Sequence, residues 1–219
     1  MEITKDIENY FQSNFLDFKQ KLSVCSQDET GNAMVSNSPE AFNFDKISKL
    51  LFPNEIASID CVFFKKQYMD FIEFKGGLID KINKNYQSQN YPCDKCNELH
   101  KDGYKLLLEK QEGLKKIIHQ NIQLKIVESL YLLVNSILPY CTALQPNYKL
   151  RFILVFKAGE IDPLDEFEMG TEDLAKNSKS ELRKLLRKYA CYDNQGNKIF
   201  FETIDIYTDK EFSNLKRYQ

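Results

Sequence analysis

Asp60, Glu73 and Lys75 are the residues of this chain whose types and spacing best suit chemistry on a phosphate group. Carboxylate oxygens are the ligands that Mg²⁺ and Mn²⁺ prefer in proteins. A bound divalent ion stabilises charge on a phosphate and activates a water molecule, and a neighbouring lysine can hold a phosphate oxygen. Together the three residues indicate metal-assisted hydrolysis of phosphodiester bonds, provided that the fold brings them to one place.

A β-hairpin is expected to bring them together. The segments 57–64 and 68–75 are short and rich in aromatic and β-branched residues, and the residues between them are polar. This pattern predicts two antiparallel strands joined by a tight turn at Lys66 and Gln67.

The register of the hairpin decides whether the three side chains share one face. With this turn, Asp60 lies opposite Glu73, and their Cβ atoms are about 5 Å apart. Lys75 lies on the same face, because alternate residues of a strand point the same way. Two opposed carboxylates are costly unless a cation compensates them, and a divalent metal would do so. A shift of one residue would turn Asp60 to the opposite face.

Asp60, twelve intervening residues and the triplet Glu73-x-Lys75 on adjacent strands resemble the metal-binding motif of the PD-(D/E)xK nuclease superfamily. The chain departs from that motif at Ile59, where the superfamily has proline. The resemblance implies a Mg²⁺ or Mn²⁺ ion held by Asp60, Glu73 and the main-chain carbonyl of Phe74, with Lys75 helping to activate water. It further implies an endonuclease that acts on DNA in restriction, phage defence or repair.

Sites of this kind often include another acidic residue from the first helix, and Glu8 is the candidate here. The triplet Asp17-Phe18-Lys19 also matches the acid-x-lysine pattern. In a chain this rich in acidic residues and lysine, such a triplet is expected by chance, so the pattern by itself does not identify a site. Two other interpretations stay open. The acid pair and lysine could form a solvated sheet face with an ion pair, or a nuclease-like fold could serve as a non-catalytic module that binds nucleic acid or a protein partner.

Cys93, Cys96 and His100 form a second candidate site, with the spacing Cys-x2-Cys-x3-His. Two cysteines within one turn are half of a typical zinc site, and histidine is a suitable third ligand. A structural Zn²⁺ would stabilise the polar insertion at 84–103, in a zinc-stapled nucleic-acid-binding protein without catalysis. The alternative is a pair of ordinary reduced thiols.

The elements that must position these residues follow from hydrophobic periodicity. Helices interleave with short apolar strands, which predicts an α/β fold with a central mixed sheet, opened by the antiparallel hairpin and flanked by helices. The order also looks like the restriction-endonuclease-like αβββαβ core, in a single domain over 1–219. The predicted helices are 3–22, 44–52, 104–138, 171–190 and 209–217, the further strands are 149–157 and 198–208, and 23–43 is predicted as a loop.

The net charge of −2 argues against a protein that coats DNA. Nucleic-acid contact would need local basic groups (Lys65–Lys66, the stretch 110–116, the predicted helix 171–190), a protein partner or the second subunit of a homodimer. No signal peptide begins at Met1, and no stretch reaches the ~18 apolar residues of a membrane helix. We therefore expect a cytoplasmic protein with no membrane segment and with reduced or metal-bound cysteines.

Overall fold

The computed structural model describes residues 7–28, 30–52, 56–76, 120–141, 149–157, 186 and 201–219. These residues form a six-stranded mixed sheet with helices on both faces, which confirms the predicted α/β class. The candidate zinc ligands Cys93, Cys96 and His100, their insertion at 84–103, and nearly all of the predicted basic helix 171–190 lie outside the described residues.

The six strands follow one another across the sheet in chain order. The first four pair antiparallel, whereas the last three run parallel to each other. Parallel strands buried on both faces need nearly continuous apolar sequence, which the fifth strand provides from Phe152 to Phe156. The strands are β1 (Lys19–Lys21), β2 (Glu40–Asn43), β3 (Cys61–Lys65), β4 (Tyr68–Lys75), β5 (Lys149–Phe156) and β6 (Thr203–Thr208).

Strands β3 and β4 form the predicted hairpin. Val62 pairs with Phe71, and Cys61 pairs with Ile72, so the predicted register is confirmed. The first strand begins later than predicted, at Cys61. Asp60 therefore lies one residue outside the paired ladder and depends on other contacts for its position.

The N-terminal part differs from the prediction. Among the described residues, helix α1 spans Ile7–Asn14 and ends before the predicted boundary at residue 22. The chain then forms the edge strand β1 and the short helix α2 (Leu22–Cys25). The predicted loop also contains β2. The helical periodicity of this segment was misleading because the pairing of β1 with β2 is a tertiary interaction that a local pattern does not encode.

Helices α1, α3 (Phe44–Leu51) and α4 (Gln120–Tyr140) cover one face of the sheet. Helix α3 agrees with the prediction. The last turns of α4 are a π-helical segment and a 3₁₀ turn that contains Pro139. By length and composition α4 could cross a membrane, which the sequence analysis did not anticipate, but a core helix of a soluble protein has the same properties. Its residues Ile122, Ile126, Leu130, Leu133 and Ile137 are buried in the core on this face of the sheet.

The opposite face is covered by α2, by α5 (Asp209–Ser213) and by the C-terminal residues. Here the side chain of Arg151 donates two hydrogen bonds, of 2.6 and 2.7 Å, to the buried carboxylate of Asp70. The hydroxyl of Tyr218 donates a third to the same carboxylate. This buried ion pair fixes β4 to β5 and both strands to the C-terminal segment.

Candidate metal site

The second half of β4 carries the acid and the lysine of the motif. Glu73 is fully buried, and the Lys75 ammonium lies 2.7 Å from its Oε1 atom. Both side chains lie on the sheet face that α4 covers, because they are alternate residues of one strand. The fold thus brings these two predicted residues into contact.

Asp60 reaches the same place from the residue before β3. Its Oδ2 atom accepts a 2.6 Å hydrogen bond from the main-chain N–H of Phe74, the residue between Glu73 and Lys75. The hairpin register, extended by one residue, places Asp60 across from Glu73 as predicted. All three motif side chains therefore converge at one point of the sheet.

Lys125 on α4 completes the cluster, and the sequence analysis missed it. Its Nζ atom lies 2.8 and 3.0 Å from the two carboxylate oxygens of Glu73 and 3.3 Å from Oδ1 of Asp60. One ammonium group therefore bridges both carboxylates. A signal was present in the sequence: Lys125, Glu128 and Ser129 are polar residues spaced for one face of the helix.

Helix α4 also anchors the segment that leads into Asp60. The main-chain N–H of Ile59 donates a 2.9 Å hydrogen bond to Oγ of Ser129, and that of Ala57 donates to a carboxylate oxygen of Glu128. These side chains satisfy main-chain groups that have no strand partner of their own. The same helix thus positions Asp60 through its backbone and contacts its carboxylate through Lys125.

The electrostatics of the cluster are those of a partly desolvated group of charges. Burial and the neighbouring Glu73 carboxylate raise the pKa of Asp60 to about 7, against the opposing effect of Lys125 and the Phe74 N–H. Burial alone would lower the pKa of Lys125, but Glu73 and Asp60 outweigh it and raise that pKa above its ordinary value. Lys125 therefore stays cationic, whereas Asp60 can exchange a proton near neutral pH.

The carboxylate oxygens of Asp60 and Glu73 are of the ligand type that suits Mg²⁺ or Mn²⁺. Oε1 of Glu73 is buried and accepts no well-directed hydrogen bond from the described residues, although two ammonium groups lie close to it. Asp60, Lys75 and Lys125 are 23%, 27% and 24% exposed, so the cluster opens to solvent. Mg²⁺ usually takes one or two carboxylates and keeps several waters, which such an opening admits.

Other predicted contributors lie elsewhere. Glu8 is on α1, and within the part of the chain that the structure describes no group of three or more His, Cys, Asp or Glu residues could hold a metal. Glu8 therefore does not join Asp60 and Glu73 in such a group. The Lys65 ammonium is at the other end of the hairpin, where it donates to the main-chain carbonyl of Arg217 at 2.7 Å.

No protein-family model matches this chain, and neither the curated proteins nor the solved structures contain a significant match.

Proposed function

We propose that this protein is a Mg²⁺- or Mn²⁺-dependent nuclease that hydrolyses phosphodiester bonds, with DNA as its substrate. The observation that carries the proposal is the convergence of Asp60, Glu73 and Lys75 on one sheet face. Oε1 of Glu73 is buried there and accepts no well-directed hydrogen bond from the described residues. Roles in restriction, phage defence or repair, and a cytoplasmic location, belong to the same proposal.

The roles of the chain's own residues follow from their positions. Asp60 and Glu73 would hold the metal ion, which when bound stabilises charge on the scissile phosphate. Lys75 is anchored at Glu73 and partly exposed, so its ammonium can orient a water molecule or hold a phosphate oxygen without a large movement. Phe74 fixes Asp60 through its N–H group, which donates to Oδ2, and Oδ1 of that carboxylate faces the Lys125 ammonium.

A cleavage assay with matched variants tests the proposal. Plasmid DNA, single-stranded DNA and RNA are incubated with wild-type protein, Lys75→Ala and Asp60→Asn, with Mg²⁺, Mn²⁺ or a chelator. The control is Lys19→Ala, which removes a lysine that is also ion-paired, to Glu40, but on the outermost strand.

We expect cleavage only with metal, at a rate reduced by about 10²-fold or more in Lys75→Ala and Asp60→Asn, and unchanged in Lys19→Ala. Cleavage that survives equally in all four proteins would reveal a contaminating nuclease. Inactivity of wild-type protein on every substrate would reject a nuclease that works alone.

A second candidate function is a non-catalytic module with a nuclease-like fold that binds nucleic acid or a protein partner. One observation favours it: Lys75 and Lys125 already neutralise Asp60 and Glu73, so the four charges sum to zero without a metal when Asp60 is ionised. Under this alternative the wild-type protein neither cuts DNA nor binds Mn²⁺.

A further inference from the structure

The Lys125 ammonium contacts both carboxylates that would hold the proposed metal ion. It is within 3.0 Å of both oxygens of Glu73 and 3.3 Å from Oδ1 of Asp60. Lys75 is also close to Glu73, with its ammonium 2.7 Å from that carboxylate. Lys75 lies on strand β4, however, whereas Lys125 lies on the covering helix α4. Among the described residues, Lys125 is thus the cation that spans the pair.

The hydrogen bonding of Asp60 favours an overlap between the Lys125 ammonium and the proposed metal ion. Its Oδ2 atom already accepts a hydrogen bond from the Phe74 N–H, whereas Oδ1 is the atom that Lys125 contacts. Mg²⁺ binds oxygen at about 2.0–2.1 Å. An ammonium group and a divalent ion on the same three oxygens would repel each other strongly in this partly buried place.

We infer that Lys125 is an internal counter-ion that neutralises Asp60 and Glu73 until a divalent cation displaces it from them. The inference rests on the proposed function and adds a positioning residue that sets how strongly the site binds metal. Displacement is sterically feasible because lysine has a flexible four-carbon stem and Lys125 is 24% exposed at the mouth of the cluster. In the metal-free protein, the same ammonium keeps two opposed carboxylates compatible with the fold.

Direct measurement of Mn²⁺ binding tests the inference without any substrate. Free Mn²⁺ is counted by electron paramagnetic resonance at pH 8, for the full chain as wild type, Lys125→Met, Lys125→Arg and Asp60→Asn. Methionine keeps much of the stem and removes the charge. Arginine keeps the charge and can donate two parallel hydrogen bonds to a carboxylate.

We expect Lys125→Met to bind Mn²⁺ about tenfold more tightly than wild type or better, Lys125→Arg to bind it more weakly, and Asp60→Asn not to bind it. Equal or weaker binding by folded Lys125→Met, with measurable binding by wild type, would overturn the role of Lys125 and leave the metal site standing.

Absence of Mn²⁺ binding in every protein, Lys125→Met included, would reject the metal site and the proposed function with it. If Lys125→Met does not fold by circular dichroism, Lys125→Arg decides. Affinity equal to or above that of wild type in the arginine variant would overturn the inference.

Discussion

The main-chain N–H of Phe74 donates a 2.6 Å hydrogen bond to Oδ2 of Asp60, and so ties a residue outside the ladder to the C-terminal end of β4. This contact joins two parts of the motif that are distant in sequence. It also gives one oxygen of Asp60 a structural role, while the other faces Lys125.

Two substitutions separate these roles of Asp60. Asn can still accept the hydrogen bond from Phe74, whereas Ala leaves that N–H without its acceptor. Because an unsatisfied, partly buried donor costs about 1–3 kcal/mol, we expect Asp60→Ala to unfold at lower urea concentration than Asp60→Asn. Neither variant should bind Mn²⁺. Equal midpoints for the two variants would mean that the hydrogen bond contributes little.

The raised pKa of Asp60 predicts a pH dependence of stability. The native carboxyl, with a pKa of about 7, binds its proton more tightly than an ordinary aspartate, whose value is 3.8. Between these two values the native state holds a proton that the unfolded chain has lost, so the free energy of unfolding falls as pH rises. Above about 7 both states are ionised and the effect is constant.

Urea unfolding of wild type and Asp60→Asn across this pH range measures the effect. The difference between the two proteins should change with pH up to about 7 and then level off. Mg²⁺ should weaken the dependence if it binds the ionised carboxylate, because metal and proton compete. A difference that does not vary with pH would contradict the raised pKa.

Ser129 is expected to influence metal binding indirectly, through the main chain that precedes Asp60. Its Oγ atom accepts from the Ile59 N–H, directly before Asp60. Ser129→Ala should lower stability by about 1–3 kcal/mol, because a buried N–H loses its acceptor. It should also weaken Mn²⁺ binding, because Asp60 is held less firmly. Ser129→Thr, which keeps the hydroxyl, is the matched variant. A Ser129→Ala protein with normal Mn²⁺ affinity would show that the remaining contacts of Asp60 suffice to position it.

The ion pair between Arg151 and Asp70, on the opposite face of the sheet, should contribute to stability and not to metal binding. Arg151→Met leaves the buried Asp70 carboxylate without its main partner, which typically costs about 3–5 kcal/mol. Tyr218→Phe removes only one donor and should cost about 1–3 kcal/mol. The double variant Arg151→Met with Asp70→Leu should recover part of the loss. If the double variant is as unstable as the sum of its single changes, the two side chains are not coupled.

The sequence was informative about the site wherever a local rule fixed the geometry. A two-residue turn determines the whole register of the hairpin, so the opposition of Asp60 and Glu73 could be derived from the spacing alone. Lys125 could not be derived in the same way. Its contact depends on how α4 rotates against the sheet, and no local pattern states which strand residues a helical face will meet.

The same distinction explains the errors in the N-terminal region. β1 and β2 are short strands at one side of the sheet, and their residues carry no clear alternation of polar and apolar types. They are strands because they pair with each other and with β3. Edge pairing of this kind is decided by the assembled sheet, so the predicted helix 3–22 and loop 23–43 were wrong there.

The parallel pairing of β4 with β5 has a consequence for the newly made chain. Tyr68 pairs with Lys149, about 80 residues later, so one side of β4 has no partner while those residues are being synthesised. An apolar strand with an open edge invites aggregation, and charged residues within such a strand oppose it. Asp70, Glu73 and Lys75 interrupt the apolar sequence of β4. The charges of the candidate site would thus also protect the nascent hairpin from self-association before β5 arrives.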